Sequence, residues 1–324
     1  MLGVQGELNS GRKRQFLRLL ANGVHSHAYI IQGAAGTGKF DFALFCAAAL
    51  LCKSANPPCS ACNSCKKVFS LAHPDVHIFG DEDGKPITMN EVRDLIDSSF
   101  LVPNDGDKKI YIIKAAHKMR PDTQNAMLKI FEEPPESVVI FLLTEKKEAL
   151  LPTILSRGQL IVLPGESDEF LEACLRKKFP TAADSEIRAA VRASDGSLGQ
   201  AEQFLSRENR AALEKAFQLL ETLFFGSKSA FLSSLSAKIT REKYIELLNL
   251  LQRLLADIVE YKYGKETPVL LSAEDAARYA ESTTKKALLL MSEAVADCRR
   301  SLEQSGNMNA ALTNLCAKLW TLKF

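Results

Sequence analysis

The sequence predicts an α/β domain built on a mostly parallel sheet, followed by an all-α remainder. Five short β-branched and aromatic runs precede Pro164: Ala28 to Gln32, Val76 to Phe79, Ile110 to Ile113, Val138 to Leu143 and Leu160 to Leu163. Helical patterns separate them, and apolar runs of this kind suit strands buried on both faces. Beyond Pro164 no further strand pattern occurs. Segments such as Asp168 to Phe179, Ser185 to Ala193, Arg241 to Lys262 and Glu274 to Glu303 instead carry apolar residues at three-and-four spacing, the mark of packed amphipathic helices.

A chain of 324 residues exceeds one ordinary core and divides into two or three domains. Polar breaks near Ser206 to Asn209, at Phe225-Gly226-Ser227 and at Gly264 to Pro268 subdivide the helical part. Apolar residues make up 46% and charged residues 25%, the balance of a globular protein. With 41 Lys plus Arg against 39 Asp plus Glu, the net charge of +2 excludes a strongly basic, dedicated nucleic-acid binder. The start, Met1 to Glu7, has no basic segment leading into an apolar one, and the apolar stretch Phe42 to Leu51 is too short to span a bilayer. A cytoplasmic location is therefore expected.

The first run leads directly into Gly33-Ala34-Ala35-Gly36-Thr37-Gly38-Lys39-Phe40 and then an apolar helix. Strand, glycine loop and helix in this order form a phosphate loop: backbone N–H groups cradle phosphates at a helix N-terminus, and a lysine reaches the outer ones. Gly33, Gly36, Gly38 and Lys39 fit those roles. The next position ordinarily supplies a hydroxyl to a magnesium ion, and here it is Phe40. A hydrolysing enzyme of this class also ends a later strand with carboxylates for the metal and the attacking water. The corresponding run, Ile110 to Ile113, continues as Lys114-Ala115-Ala116-His117. Metal placement and water activation are lost together, so no intrinsic ATPase activity is expected. The loop can still be either empty or nucleotide-bound without hydrolysis, because its glycines and lysine are kept. His117, alone after a strand, reads as an ordinary structural histidine.

Cys52, Cys59, Cys62 and Cys65 form a C-x6-C-x2-C-x2-C array among turn-forming residues. Four thiolates on tight turns close a tetrahedral shell around structural Zn²⁺. The alternatives are four unrelated cysteines or a nucleic-acid-binding ribbon. The ribbon is disfavoured because only Lys53, Lys66 and Lys67 lie close by, with no interleaved aromatics. Cys46, Cys174, Cys298 and Cys316 lack such neighbours and read as small buried hydrophobes.

In order along the chain, His27-Ala28-Tyr29, the four cysteines, His73-Pro74-Asp75, the run Asn125 to Pro135 with its Glu132-Glu133-Pro134-Pro135, and the run Leu151 to Gln159 with its Ser156-Arg157 resemble the clamp-loader branch of the AAA+ proteins, and within it the delta-prime type of bacterial DNA polymerase III subunit. Past residue 164 the resemblance thins to Gly196-Ser197-Leu198-Gly199-Gln200-Ala201, similar to the family's lid, and Gly306-Asn307-Met308-Asn309, similar to its terminal collar. It implies an AAA+ domain over 1–164 with a zinc module at 52–65, a helical lid over 165–207 and a helical collar over 208–324. It also implies that Arg157 acts as an arginine finger in trans, offsetting charge on the γ-phosphate in a neighbour's ATP site. Gly158 stands where the family usually has cysteine, and Leu198-Gly199-Gln200 lacks the basic residue common in nucleotide-responsive members. The implied function is a non-hydrolysing clamp-loader subunit with gamma/tau and delta type partners, acting with the sliding clamp on primer–template DNA. An active gamma-like motor ATPase is the alternative.

Overall fold

The structure, a computed structural model, describes residues 7–80, 85–235, 240–264, 268–304 and 307–323. Met1 to Gly6, Lys265 to Thr267 of one expected helix break, and Gly306 of the collar signature lie outside the described residues.

All five expected strands form: β1 (Ala28–Gln32), β2 (Val76–Phe79), β3 (Lys109–Ile113), β4 (Val138–Thr144) and β5 (Gln159–Val162). Their bounds differ from the apolar runs by a residue or so at the ends. They pair in parallel in the order β2-β3-β4-β1-β5, with Ala28 opposite Ile140, Tyr29 opposite Gln159 and Ile110 opposite Val139. The α/β class read from the sequence holds. β4 is buried at every position, as a central strand covered on both faces must be.

The helices of this part are α1 (Ser10–Ala21), α2 (Lys39–Leu51), α3 (Asn63–Phe69), α4 (Met89–Ser99), α5 (Pro121–Glu132) and α6 (Pro152–Leu155). Successive strand residues point to opposite faces. Tyr29, Ile31 and Phe141 therefore pack under Phe16, Phe42 and Cys46, while Ile30, Ile140 and Leu142 pack with Leu95, Met127 and Phe131. Because β1, β3 and β4 are adjacent and parallel, their C-terminal ends deliver residues 33–38, Lys114 and Glu145 to one edge of the sheet, where ligands gather in open α/β folds.

The rest of the described chain is helical: α7 (Asp168–Lys178), α8 (Asp184–Ala193), α9 (Leu198–Phe204), α10 (Arg207–Phe225), α11 (Lys228–Leu235), α12 (Arg241–Lys262), α13 (Ala273–Glu281), α14 (Lys285–Glu303) and α15 (Met308–Leu322). Two compact units result, Met1–Cys174 with Asp195–Gln200, and Leu175–Ser194 with Ala201–Phe324. The second has its own core, with Leu219, Leu223, Leu251, Leu254, Met291, Val295, Leu315 and Leu319 buried together. Buried Asp257 accepts the amides of Val269, Leu270 and Leu271 at 3.0, 2.6 and 2.9 Å and so fixes the approach to α13.

One expectation needs correction. Glu274 to Glu303 is two helices, broken at Ser282 to Thr284. The Thr284 hydroxyl takes the Ala287 amide at 3.1 Å and starts α14, a cap placed within the polar stretch Glu281 to Lys286.

Candidate functional site

The phosphate loop lies between β1 and α2. Gly38, in the left-handed region at φ 77°, precedes the first turn of α2. Each carbonyl from Gly33 through Thr37 accepts a hydrogen bond from within the chain. Lys39 Nζ donates to Gly33 and Ala34 at 2.9 and 2.8 Å, and Thr37 Oγ1 donates to Ala34 at 2.9 Å. Ser197 Oγ and Gln200 Nε2 reach Ala35 at 2.7 and 3.3 Å, the Gly199 amide reaches Gly36 at 3.0 Å, and Asn9 Nδ2 reaches Thr37 at 2.9 Å. Gly36 is required here twice over. Its φ is +75°, and a Cβ would lie 2.6 Å from Ser197 Oγ and 3.0 Å from the Gly199 Cα. Burial holds the Lys39 ammonium below its ordinary range, with Glu145 pulling the other way.

The two departures noted in the sequence meet in space. Lys114, just past the end of β3, places its ammonium 4.3 Å from the centroid of the Phe40 ring on α2. A cation on an aromatic face thus stands where a hydroxyl and a carboxylate would cooperate on a metal. Ala115 follows in the left-handed region at φ 49°, and Ala116 is buried. His117 Nδ1 accepts the Glu145 amide at 3.3 Å, and burial lowers its pKa, so its ring is used to hold the end of β4.

The four cysteines converge as their spacing suggests. Cys52 follows the last residue of α2, Cys62 caps α3, and Cys65 lies buried within α3. Their sulfur atoms all lie within 4.8 Å of one another, and Cys52 and Cys62 are 4.0 Å apart. A tetrahedron with Zn–S bonds of about 2.3 Å has edges of about 3.8 Å, so the donor set fits Zn²⁺. The Cys62 amide donates to Cys59 Sγ at 3.3 Å and the Cys65 amide to Cys62 Sγ at 3.4 Å. The amides of Cys62 and Ala61 lower the Cys59 thiol to about 6, favouring the thiolate a metal needs, whereas burial pushes Cys65 up to about 12. Lys67 pairs with Asp105 at 2.5 Å and Lys53 with Asp107 at 3.8 Å, which leaves a nucleic-acid ribbon little basic surface. Cys46, Cys174, Cys298 and Cys316 are buried.

Arg157 lies in the turn between α6 and β5, the edge strand of the sheet. Its Nη1 donates to the Thr153 carbonyl at 3.0 Å, and its Nη2 lies 3.1 Å from Glu132 Oε1 at the end of α5. Gly158 is held within this turn. Its amide donates to Ile154 at 3.0 Å, and a Cβ would lie 2.7 Å from Ile30 Cδ1. Gln124, which the sequence did not single out, is buried on α5. Its Nε2 donates to the Met119 and Ala149 carbonyls at 3.1 and 3.0 Å, and its Oε1 accepts the Leu151 amide at 2.8 Å. Asp75 was also missed as a structural centre. It is fully buried and accepts the amides of Asn104, Asp105 and Gly106 at 2.5, 2.7 and 3.0 Å. Asp75 stands alone between Pro74 and the apolar-rich run from Val76, which was an available signal, whereas Gln124 lies among polar Asp122, Thr123 and Asn125 and carried none. The structure brings Gly33, Gly36, Gly38, Lys39, Phe40 and Lys114 into one locus, the cysteines into a second and Arg157 into a third.

The profile of the family described as "DNA polymerase III, delta subunit" matches residues 9–167, and that described as "DNA polymerase III, delta subunit, C terminal" matches residues 208–315. DNA polymerase III subunit delta' of Bacillus subtilis is 26% identical over 97% of each chain. That of Escherichia coli is 30% identical over 74% of this chain and 71% of its own. A DNA polymerase III gamma subunit-related protein from Thermotoga maritima superposes with a TM-score of 0.53 at 19% identity, covering 98% of this chain and 100% of its own, a likeness of fold. A parallel sheet with its phosphate loop, a four-cysteine insertion and a helical C-terminal region form the AAA+ architecture that the resemblance implied. With both of its halves matched and a delta' relative at 30% identity covered over most of its length, the chain belongs to the delta-prime family of DNA polymerase III subunits.

Proposed function

We propose that the chain is a non-hydrolysing clamp-loader subunit that completes the ATP site of a neighbouring subunit with Arg157. The observation that carries this is the pairing of Lys114 with Phe40 at 4.3 Å, which puts an ammonium and a ring in place of magnesium ligands. A guanidinium on the exposed edge of the sheet suits charge stabilisation on a γ-phosphate presented from outside. In this reading residues 1–164 are the AAA+ domain with its zinc module, 165–207 the lid and 208–324 the collar. The neighbours are gamma/tau and delta type subunits, and the assembly works in the cytoplasm on the sliding clamp and primer–template DNA. Among the described residues no helix is long and apolar enough to cross a membrane. Cys52, Cys59, Cys62 and Cys65 hold a Zn²⁺ that is structural, because four thiolates leave no position for water.

The test is ATP hydrolysis by the chain alone and by a loader reconstituted with a gamma-type ATPase. The chain alone hydrolyses nothing above background. Arg157→Ala lowers the assembled rate by roughly 10³-fold, the lower end for a lost arginine finger, while assembly persists. Hydrolysis by the isolated chain, surviving removal of contaminating motor subunit, would favour the motor reading instead. An unchanged assembled rate would remove Arg157 from the site.

A further inference from the structure

We propose that Glu132 is the positioning residue for Arg157: its carboxylate fixes the guanidinium on the rim of the first unit, ready for a phosphate presented by another chain. The inference rests on the finger reading of Arg157 and deepens it.

An arginine side chain is long, and free in solvent it spreads its charge over many rotamers. Here it is tied at two points by two different elements. Nη1 donates to the Thr153 carbonyl of α6 at 3.0 Å, and Nη2 meets Glu132 Oε1 of α5 at 3.1 Å. A guanidinium carries five N–H donors, so this leaves donors over for an oxyanion. The Thr153 bond lies within the same local turn and moves with it. Glu132 is the only one of the two ties that refers the guanidinium to the sheet domain at large, through the long helix α5.

The place of Glu132 is itself informative. It is the last residue of α5, where the partial negative charge of the helix end disfavours a carboxylate. A cation beside it offsets that conflict; Lys129 lies in the same last turn, and Arg157 meets the carboxylate itself at ion-pair distance. The same helix also holds the backbone of the turn, because Gln124, eight residues earlier on its buried face, takes the Leu151 amide at 2.8 Å. One helix therefore sets both where the turn lies and where its arginine points. The side chains of Arg157 and Glu132 are 35% and 50% exposed, so the pair contributes little to folding and stays open to an incoming anion.

The experiment is steady-state ATP hydrolysis by the assembly with a gamma-type partner, comparing wild type, Glu132→Gln, Glu132→Asp, Arg157→Ala and the double variant Glu132→Gln/Arg157→Ala. Glu132→Gln should lower kcat roughly three- to tenfold with KM for ATP unchanged. Glu132→Asp should recover part of the loss, and the double variant should hydrolyse at the Arg157→Ala rate, because Glu132 acts through that arginine. The thermal midpoint of Glu132→Gln should match wild type. A wild-type kcat for Glu132→Gln beside an impaired Arg157→Ala would overturn the proposal and leave the finger reading intact. So would a double variant slower than Arg157→Ala by the full Glu132→Gln factor. If Arg157→Ala itself hydrolyses at the wild-type rate, the finger reading falls and the proposal falls with it.

Discussion

Replacing Gln124 with Leu should loosen the turn that carries Arg157 without touching the phosphate loop. Leu approximates the volume of Gln, so the cavity contribution is small and the loss is one of hydrogen bonds. Three are removed: to Met119 O at 3.1 Å, to Ala149 O at 3.0 Å and from Leu151 N at 2.8 Å. At about 1 kcal/mol net for each, the cost is about 3 kcal/mol. Ala149 is exposed, and water replaces its partner. Met119 is buried, so its carbonyl stays dry and the cost does not fall below that figure. For a domain of this size the thermal midpoint should drop by roughly 6–12 °C. The Leu151 amide should lose its hydrogen-exchange protection at the same time. Melting followed by circular dichroism, with exchange read at Leu151, makes the measurement. A midpoint within roughly 2 °C of wild type would refute the reasoning, since a buried amide with three partners cannot be that cheap to remove.

Two further outcomes follow from the geometry. The purified chain should carry about one zinc ion, and Cys62→Ser should release most of it, read by metal analysis after dialysis; full retention would remove the cysteine cluster as the site. Burial pushes the Asp75 carboxyl up, but the amides of Asn104, Asp105 and Gly106 outweigh it and hold the group below its usual 3.8. A lowered folded pKa contributes stability that is complete above the unfolded value and lost as pH falls through the folded one. Urea midpoints should therefore decline below about pH 4, and Asp75→Asn, less stable at neutral pH, should show a shallower decline; equal slopes would exclude Asp75 as a source.

What the sequence made legible was local. The strands are continuous apolar runs, the phosphate loop is eight consecutive residues, and the cysteines sit within one short segment, so each signal survives without knowledge of distant partners. What it hid depends on residues brought together by the fold. Ser197 reaches Ala35 across 162 positions, and Glu132 and Arg157 belong to different runs whose proximity only the sheet order creates. Phe40 and Lys114 were each read as a missing ligand, but their contact is a property of α2 and the end of β3 meeting at one edge. The single helix expected over Glu274 to Glu303 failed although a signal was present. Glu281 to Lys286 is polar throughout, and Ser282-Thr283-Thr284 within it offers the capping hydroxyl that starts α14.

The stacked Lys114 and Phe40 also bear on reversibility. A serine at position 40 would supply the hydroxyl of a metal site but leave an ammonium beside it, and two unit charges about 4 Å apart near a protein surface interact by about 4 kcal/mol, more for a divalent ion. An aspartate at position 114 with Phe40 kept would supply a carboxylate facing a ring that binds no metal. Neither single change supplies both a hydroxyl and a carboxylate, so building a metal site at this loop requires at least both changes at once.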